Sequence, residues 1–309
     1  MKNLTKKFSA IILVTAIIGL TACVANDESK IGDDKNIRNI EVPSKENGYI
    51  VKVAPGETAI IDLNSDGENE LINYGLKVTT DQWFDYYTVK NLTISGVEYA
   101  EEDSENPLES LGMNIYYPDD KWYFIVDIDS SDDYREIAIV DLGPSDDLTT
   151  SFLRYDGEEL EYIGYVAGFP TDDTYSMDGK GTIQSQGRLG LLQYWTSVFT
   201  WKLNGQGKLV ALEENLYFPI NHDEEDKKPV LLKQAITAYT ERDLSSKTIL
   251  MEPSDEPITF PSTDNKNWVL MHREDGTEGW IYIEDYMNII SDGNKFNCAY
   301  VFENLYFAD

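Results

Sequence analysis

Histidine and cysteine are almost missing from this sequence, which has two of each in 309 residues. With only His222 and His272 the chain offers no histidine-based zinc centre, and it contains no HExxH, GxSxG or glycine-rich phosphate loop. Both histidines read as surface residues, His272 on a strand and His222 in an acidic link. Positive charge is also scarce: 25 basic residues stand against 56 acidic ones, a net charge of −31. A polyanion of this kind does not seek nucleic acid, is repelled by anionic lipid and wall polymers, and attracts cations. Long helical periodicity is missing as well. LLKQAITAYTERDL at 231–244 is the best helical candidate, and its ITAY reads equally well as strand.

Long apolar runs are confined to the N-terminus, where Lys2, Lys6 and Lys7 precede FSAIILVTAIIGL and then Leu20-Thr21-Ala22-Cys23. The run is too short for an ordinary membrane-spanning helix, and small residues before a cysteine suit a signal peptidase pocket. The segment resembles a bacterial lipoprotein signal. The resemblance implies that residues 1–22 are removed and that Cys23 becomes an acylated first residue, held on the outer face of the cell membrane by its acyl chains. Cys298 then has no partner, so no disulfide framework forms within the chain and the fold rests on its core, helped by any bound metal. Residues 23–47, with Cys23 at their head, are polar and lack either hydrophobic period; from residue 24 onward they read as a flexible tether.

Beyond residue 47 the texture is β. Short β-branched and aromatic runs such as TAIIDL, WYFIVDI, REIAIVDL and TSVFTWKL alternate with Asp, Asn, Gly and Ser turns, which predicts antiparallel sheets. A weak repeat spans residues 48–228. TAIIDLNSDGENELINYGLKV is one copy, and WYFIVDIDSSDDYREIAIVDL followed by LRYDGEELEYIGYV is a second. YSMDGKGTIQSQ followed by FTWKLNGQGKLVALEE is a poorer third. Each reads as strand, acidic turn, strand, then a hairpin with glycine near its tip. Units of this length stack because one small sheet cannot bury its own face.

The first acidic turn, Asp62-Leu63-Asn64-Ser65-Asp66-Gly67-Glu68-Asn69-Glu70, has oxygen-bearing side chains at alternate positions, a glycine for the turn and a closing carboxylate. Hard oxygens in that number suit calcium better than zinc or copper. The loop shares the first half of an EF-hand pattern but has Ile72 where the bidentate glutamate belongs, and its flanks are strands. It resembles the calcium loops of FG-GAP and VCBS repeats, which begin propeller blades. The resemblance implies Asp62, Asn64, Asp66 and Glu70 as side-chain ligands, with the Glu68 carbonyl available between them. In the second copy Asp127, Asp129, Asp132 and Glu136 keep the order with one residue inserted and Tyr134 where the turn glycine belongs. In the third, Asp178 stands alone beside Lys180, which predicts a turn without metal.

After the charged link NHDEEDKK, residues 229–290 carry Trp268 on one alternating strand and Gly279-Trp280-Ile281 on the next, joined through Asp275-Gly276. This is a strong hairpin signal. The pair resembles bacterial SH3-like domains, which implies a small barrel with both tryptophans in it. Residues 291–309 read as a tail able to add a strand. The aromatic runs QWFDYYTV (82–89) and QYWTSVFTW (193–201) could line a groove, though strand alternation turns half of each inward.

The expected fold is therefore all-β, propeller-like repeats followed by an SH3-like barrel. The expected function is non-enzymatic: a lipid-anchored surface protein with calcium-stabilised repeats that recognises a cell-wall peptide or glycan. Two other classes stay open. A glycoside-cleaving envelope enzyme would need two facing carboxylates in a deep cleft, and a structural assembly subunit would need a flat apolar face.

Overall fold

A computed structural model describes residues 37–39, 50–80, 85–100, 108–113, 115, 117–119, 121–143, 148–168, 176–220 and 228–307. Cys23, His222 and the leader lie outside the described residues. Among those described, no helix is long and apolar enough to cross a membrane.

Strands β1 (Ile37–Asn39) and β2 (Ile50–Val53) precede three meanders. The first is β3 (Thr58–Ile61), β4 (Glu70–Thr80), β5 (Asp85–Ile94) and β6 (Val97–Glu98). The second is β7 (Tyr123–Val126), β8 (Glu136–Asp141), β9 (Thr149–Tyr155) and β10 (Leu160–Ala167). The third is β11 (Ser176–Met177), β12 (Thr182–Leu189), β13 (Trp195–Leu203) and β14 (Leu209–Ala211). Each meander is one antiparallel sheet in chain order; β2 adds to the second beside β7, and β1 lies on the edge of the first, parallel to β3. The three copies of the sequence repeat are thus three sheets, and in each the acidic turn joins the first strand to the second.

A fourth sheet follows: β15 (Val230–Leu232), β16 (Ile236–Tyr239), β17 (Thr248–Met251), β18 (Ser254–Thr263), β19 (Trp268–Arg273), β20 (Glu278–Glu284), β21 (Asn288–Ser291), β22 (Asn294–Asn297) and β23 (Phe302–Glu303), with the single-turn helix α1 (Cys298–Val301) between the last two. Its order is β17-β16-β20-β19-β18-β15-β23, with β21 and β22 branching from β20. The fold is all-β, with four sheets that pair antiparallel except at β1. Among the described residues no sheet closes into a barrel and no ring of sheets forms.

Two open readings are decided here and one expectation changes. Within 231–244, where ITAY read equally well as helix or strand, Ile236–Tyr239 become β16, buried along its whole length. Tertiary burial of four consecutive residues overrides a helical count that offered no apolar stripe. Ile37–Asn39, within the stretch read as tether, form β1, parallel to β3. Residues 291–307, read as a tail able to add a strand, supply β21's last position, β22, α1 and β23, the last paired with β15.

The core explains why the second sheet reads as unbroken apolar runs. One face, with Tyr123, Ile125, Ile137, Ile139 and Leu153, packs against Ile61, Ile72, Tyr74 and Leu92 of the first sheet. The other, with Phe124, Val126, Ala138, Val140 and Phe152, packs against Ile183, Trp201 and Leu209 of the third. A strand buried on both faces has no polar alternation to show. The first sheet's other face is polar: Thr58 Oγ1 donates to Asn73 Oδ1 at 2.5 Å, and Asn73 Nδ2 to Thr93 Oγ1 at 3.4 Å. A wet outer face of this kind can end a stack. The fourth sheet shares its core with Leu189, Leu191, Leu192 and Trp195 of the third, and with Cys298, Val301 and Phe302 near the C-terminus. The aromatic run at 193–201 therefore fills joints between sheets rather than lining a groove: Trp195 and Trp201 are both buried. Residues 82–84 of the other run lie outside the described residues, and Tyr86 packs edge-on against Tyr117.

Candidate metal loops and an aromatic face

The acidic turns are stacked on one another. From the second loop, Arg135 donates its backbone N–H to Leu63 O at 2.8 Å and its Nη1 to Asp62 O at 2.8 Å and Ser65 Oγ at 2.9 Å. Between second and third, Ser130 N–H donates to Gly179 O at 3.0 Å and Gly181 N–H to Ile128 O at 2.9 Å, beside an Asp129–Lys180 bridge. A hairpin tip of the second sheet covers the first loop, and one of the third sheet comes up to Arg154, which bonds the second. A Cβ on Gly157, between β9 and β10, would stand 2.6 Å from Asn64 Nδ2, and one on Gly207, between β13 and β14, 3.2 Å from Arg154 Nη1. Both glycines have positive φ, 102° and 73°, so conformation and close approach demand the same residue.

In the first loop the turn is held by side-chain oxygens accepting backbone N–H groups: Asp62 Oδ2 from Gly67 at 3.0 Å, Asn64 Oδ1 from Asp66 at 3.2 Å, and Asp66 Oδ1 from Glu68 at 2.7 Å. Such bonds are the ordinary chemistry of Asp and Asn in turns. Glu70, the first residue of β4, is buried and accepts the Leu63 N–H at 2.7 Å. Burial first, and then the charges of Asp62 and Asp66, push its carboxyl above the usual range, against the pull of that amide. Among the described residues, no group of three or more His, Cys, Asp or Glu side chains is drawn to metal-holding distance. The donors nevertheless fit calcium in kind, and Asp62 Oδ1 is buried with no hydrogen-bond partner. Asp62, Asn64, Asp66 and Glu70, with the Glu68 carbonyl, are the residues that would hold the ion.

The second loop has the same frame. Glu136 opens β8, is fully buried, and accepts from the Ile128 N–H at 3.3 Å, as Glu70 does from Leu63. Asp127 is buried and Asp129 Oδ1 accepts from Ser131. Asp132 Oδ1 accepts from the Tyr134 N–H at 2.9 Å, so Tyr134 takes the turn position without a glycine. The difference is Arg154 of β9, directly opposite Glu136 in the ladder. Its Nε donates to Glu136 Oε1 at 3.0 Å, and its Nη2 bonds Glu136 Oε1 and, at 3.1 Å, Asp132 Oδ2. Its guanidinium lies 4.6 Å from the Tyr134 ring centroid. Burial pushes Glu136 up to about 7 even though Arg154 pulls it down, and burial also raises Asp132. Nothing in the acidic motif pointed to Arg154; the available signal was a lone arginine in the strand two along from the loop.

The third loop is held by a single carboxylate. Asp178 Oδ1 accepts from the N–H groups of Lys180 at 2.8 Å and Thr182 at 3.0 Å. Burial works against its charge, but those two amides outweigh it and hold the carboxyl below its usual range.

Beside Arg154 a groove of about 540 Å³ opens between the β9–β10 and β13–β14 hairpins, with Asp156, Glu159 and Glu161 on its walls. Glu161 is paired with Lys208 Nζ at 2.7 Å, and Asp156 is held below its usual range by the amides of Glu159 and Glu158. An ionised Asp156 of this kind is a poor general acid.

The fourth sheet has a core face of Val269, Met271, Ile281 and Ile283, and a second face on which alternation puts Trp268, Trp280 and Tyr282. Trp268 is buried in a ring cluster, 5.6 Å from Tyr239 and 5.0 Å from Tyr282 between centroids. Trp280 and Tyr282 are only half-buried. Arg242 lies over Trp280 at 5.4 Å and donates to Asn215 O and Oδ1, both at 2.9 Å. The two tryptophans do sit on adjacent strands, but Trp280 is not a core residue. His272 lies on the same strand as Trp268, paired in the ladder with Thr259 and Glu278.

Comparison of the chain with protein-family models, with curated proteins and with solved structures gives no match.

Proposed function

We propose that this chain is an exported, lipid-anchored binding protein. In this reading a stack of FG-GAP/VCBS-like sheets, its first loop holding calcium, carries an SH3-like module that recognises a wall peptide or glycan. The observation that carries it is the half-buried row of Trp280 and Tyr282, beside Trp268, which packs against Tyr239 and Tyr282, with Arg242 over Trp280. Flat rings held in a packed cluster, with a fixed cation among them, suit sugar rings and extended peptides, because aromatic area is presented with little entropy left to lose. Cys23 supplies the anchor, and the orphaned Asp62 Oδ1 supports calcium in the first loop. The state of Asp156 and the pairing of Glu161 favour binding over glycoside cleavage in the groove.

The test is retention of the purified mature protein on purified cell wall, with and without chelator, for wild type and Trp280→Ala. Retention by wild type and its loss in Trp280→Ala, with the melting temperature little changed, is the expected result. No retention, or retention indifferent to Trp280, refutes the reading.

A further inference from the structure

We propose that Arg154 is the built-in cation of the second acidic loop, so that this chain takes calcium in the first loop and not in the second. The inference rests on the calcium reading of the first loop. The two loops share a frame: each has a buried closing glutamate that accepts the amide of the residue after the leading aspartate, at 2.7 Å and 3.3 Å. Carboxylates gathered in such a partly dry frame require a positive charge, since like charges left together in low dielectric are costly.

What supplies that charge is decided by the cross-strand register. In the second sheet Glu136 faces Arg154, whose planar fork reaches both Glu136 and Asp132 and stays protonated at any ordinary pH. A divalent ion brought between those carboxylates would meet a guanidinium already there. In the first sheet Ile72 faces Ile94, so the position across from Glu70, two back, is Gly96 in the β5–β6 turn, which carries no side chain. Among the described residues no lysine or arginine forms an ion pair with Asp62, Asp66 or Glu70. Arg135 is close by, but its bonds go to the Asp62 carbonyl and the Ser65 hydroxyl rather than to a carboxylate. The carboxylates of the second loop are thus neutralised by the chain itself, while those of the first are left to an ion from outside.

The experiment counts calcium ions bound per chain by calorimetry, on the full mature protein in detergent, for wild type, Asp66→Ala and Arg154→Ser, with circular dichroism to check the fold of each. The expected counts are one, none and two. Two ions in wild type, or one retained by Asp66→Ala, would show the second loop binding calcium beside Arg154 and overturn the proposal even if Arg154→Ser fails to fold. A folded Arg154→Ser that gains no site overturns it as well. A wild-type count of none refutes calcium in the first loop, and with it that half of the proposal; a site gained by Arg154→Ser would then still uphold Arg154 as the cation of the second.

Discussion

Replacing Arg154 with methionine keeps much of the side chain's apolar length and removes its charge. It leaves Glu136, whose side chain is wholly buried, without the guanidinium that both its oxygen and Asp132 use; Arg154 itself is 12% exposed. Breaking one partner of such a pair costs about 3–5 kcal/mol when the survivor must stay charged. Glu136 can escape by taking a proton. In the wild type burial already raises it from 4.5 to about 7 despite Arg154, so the variant's value must be higher still. A carboxyl whose folded pKa is raised above its unfolded one takes up a proton on folding. Its contribution is full below the unfolded value and is lost as pH climbs through the folded value, at about 1.4 kcal/mol per unit. Wild type therefore loses this contribution between about 4.5 and 7, whereas the variant goes on losing it above 7. The charged groups acting on Glu136 are Arg154 and Asp132, and the second of these pushes in the same direction as burial. Urea unfolding of both proteins in chelator from pH 5 to 9 should show a small difference at pH 5 that widens toward about 3–5 kcal/mol at pH 9. A difference constant across that range, or a variant that gains stability as pH rises, refutes the argument.

Asp66→Ala should remove most of the calcium response of melting, which for one site at a hundred times its dissociation constant is about 2.7 kcal/mol; Asp178→Ala should leave that response intact, and indifference of wild type to millimolar calcium and to chelator would refute the site. Gly157→Ala forces a side chain at a φ of 102° toward Asn64 and should weaken calcium binding measured by calorimetry, with a melting loss of about 1–3 kcal/mol. Trp280→Ala should cost about 1–2 kcal/mol in urea, below the 3–5 of a fully buried tryptophan, because one face already meets solvent and Arg242. Cys23→Ser should move the exported protein from the detergent phase to the aqueous phase; continued membrane fractionation would refute the lipid anchor.

Much of the fold was legible because it is local. Strand runs, acidic turns and glycine-tipped hairpins recur in the order that became three sheets, since each sheet is a meander of sequence neighbours. The unbroken apolar run around Tyr123–Val126 likewise reflects burial on both faces. The first loop's oxygen spacing could be read directly, because turn geometry is set within nine residues. Tertiary structure decided the rest. Whether the second loop needs an outside ion depends on a residue 18 positions away, brought opposite Glu136 only by the β8–β9 register. Whether Trp280 is core or surface depends on which face of β20 the third sheet and the C-terminal segment cover. Parity along a strand sorts residues into two sets, and only packing says which set is dry. Composition made this chain seek cations; which carboxylates the chain itself could neutralise was settled by cross-strand distance, because a charge is neutralised by what lies beside it in space.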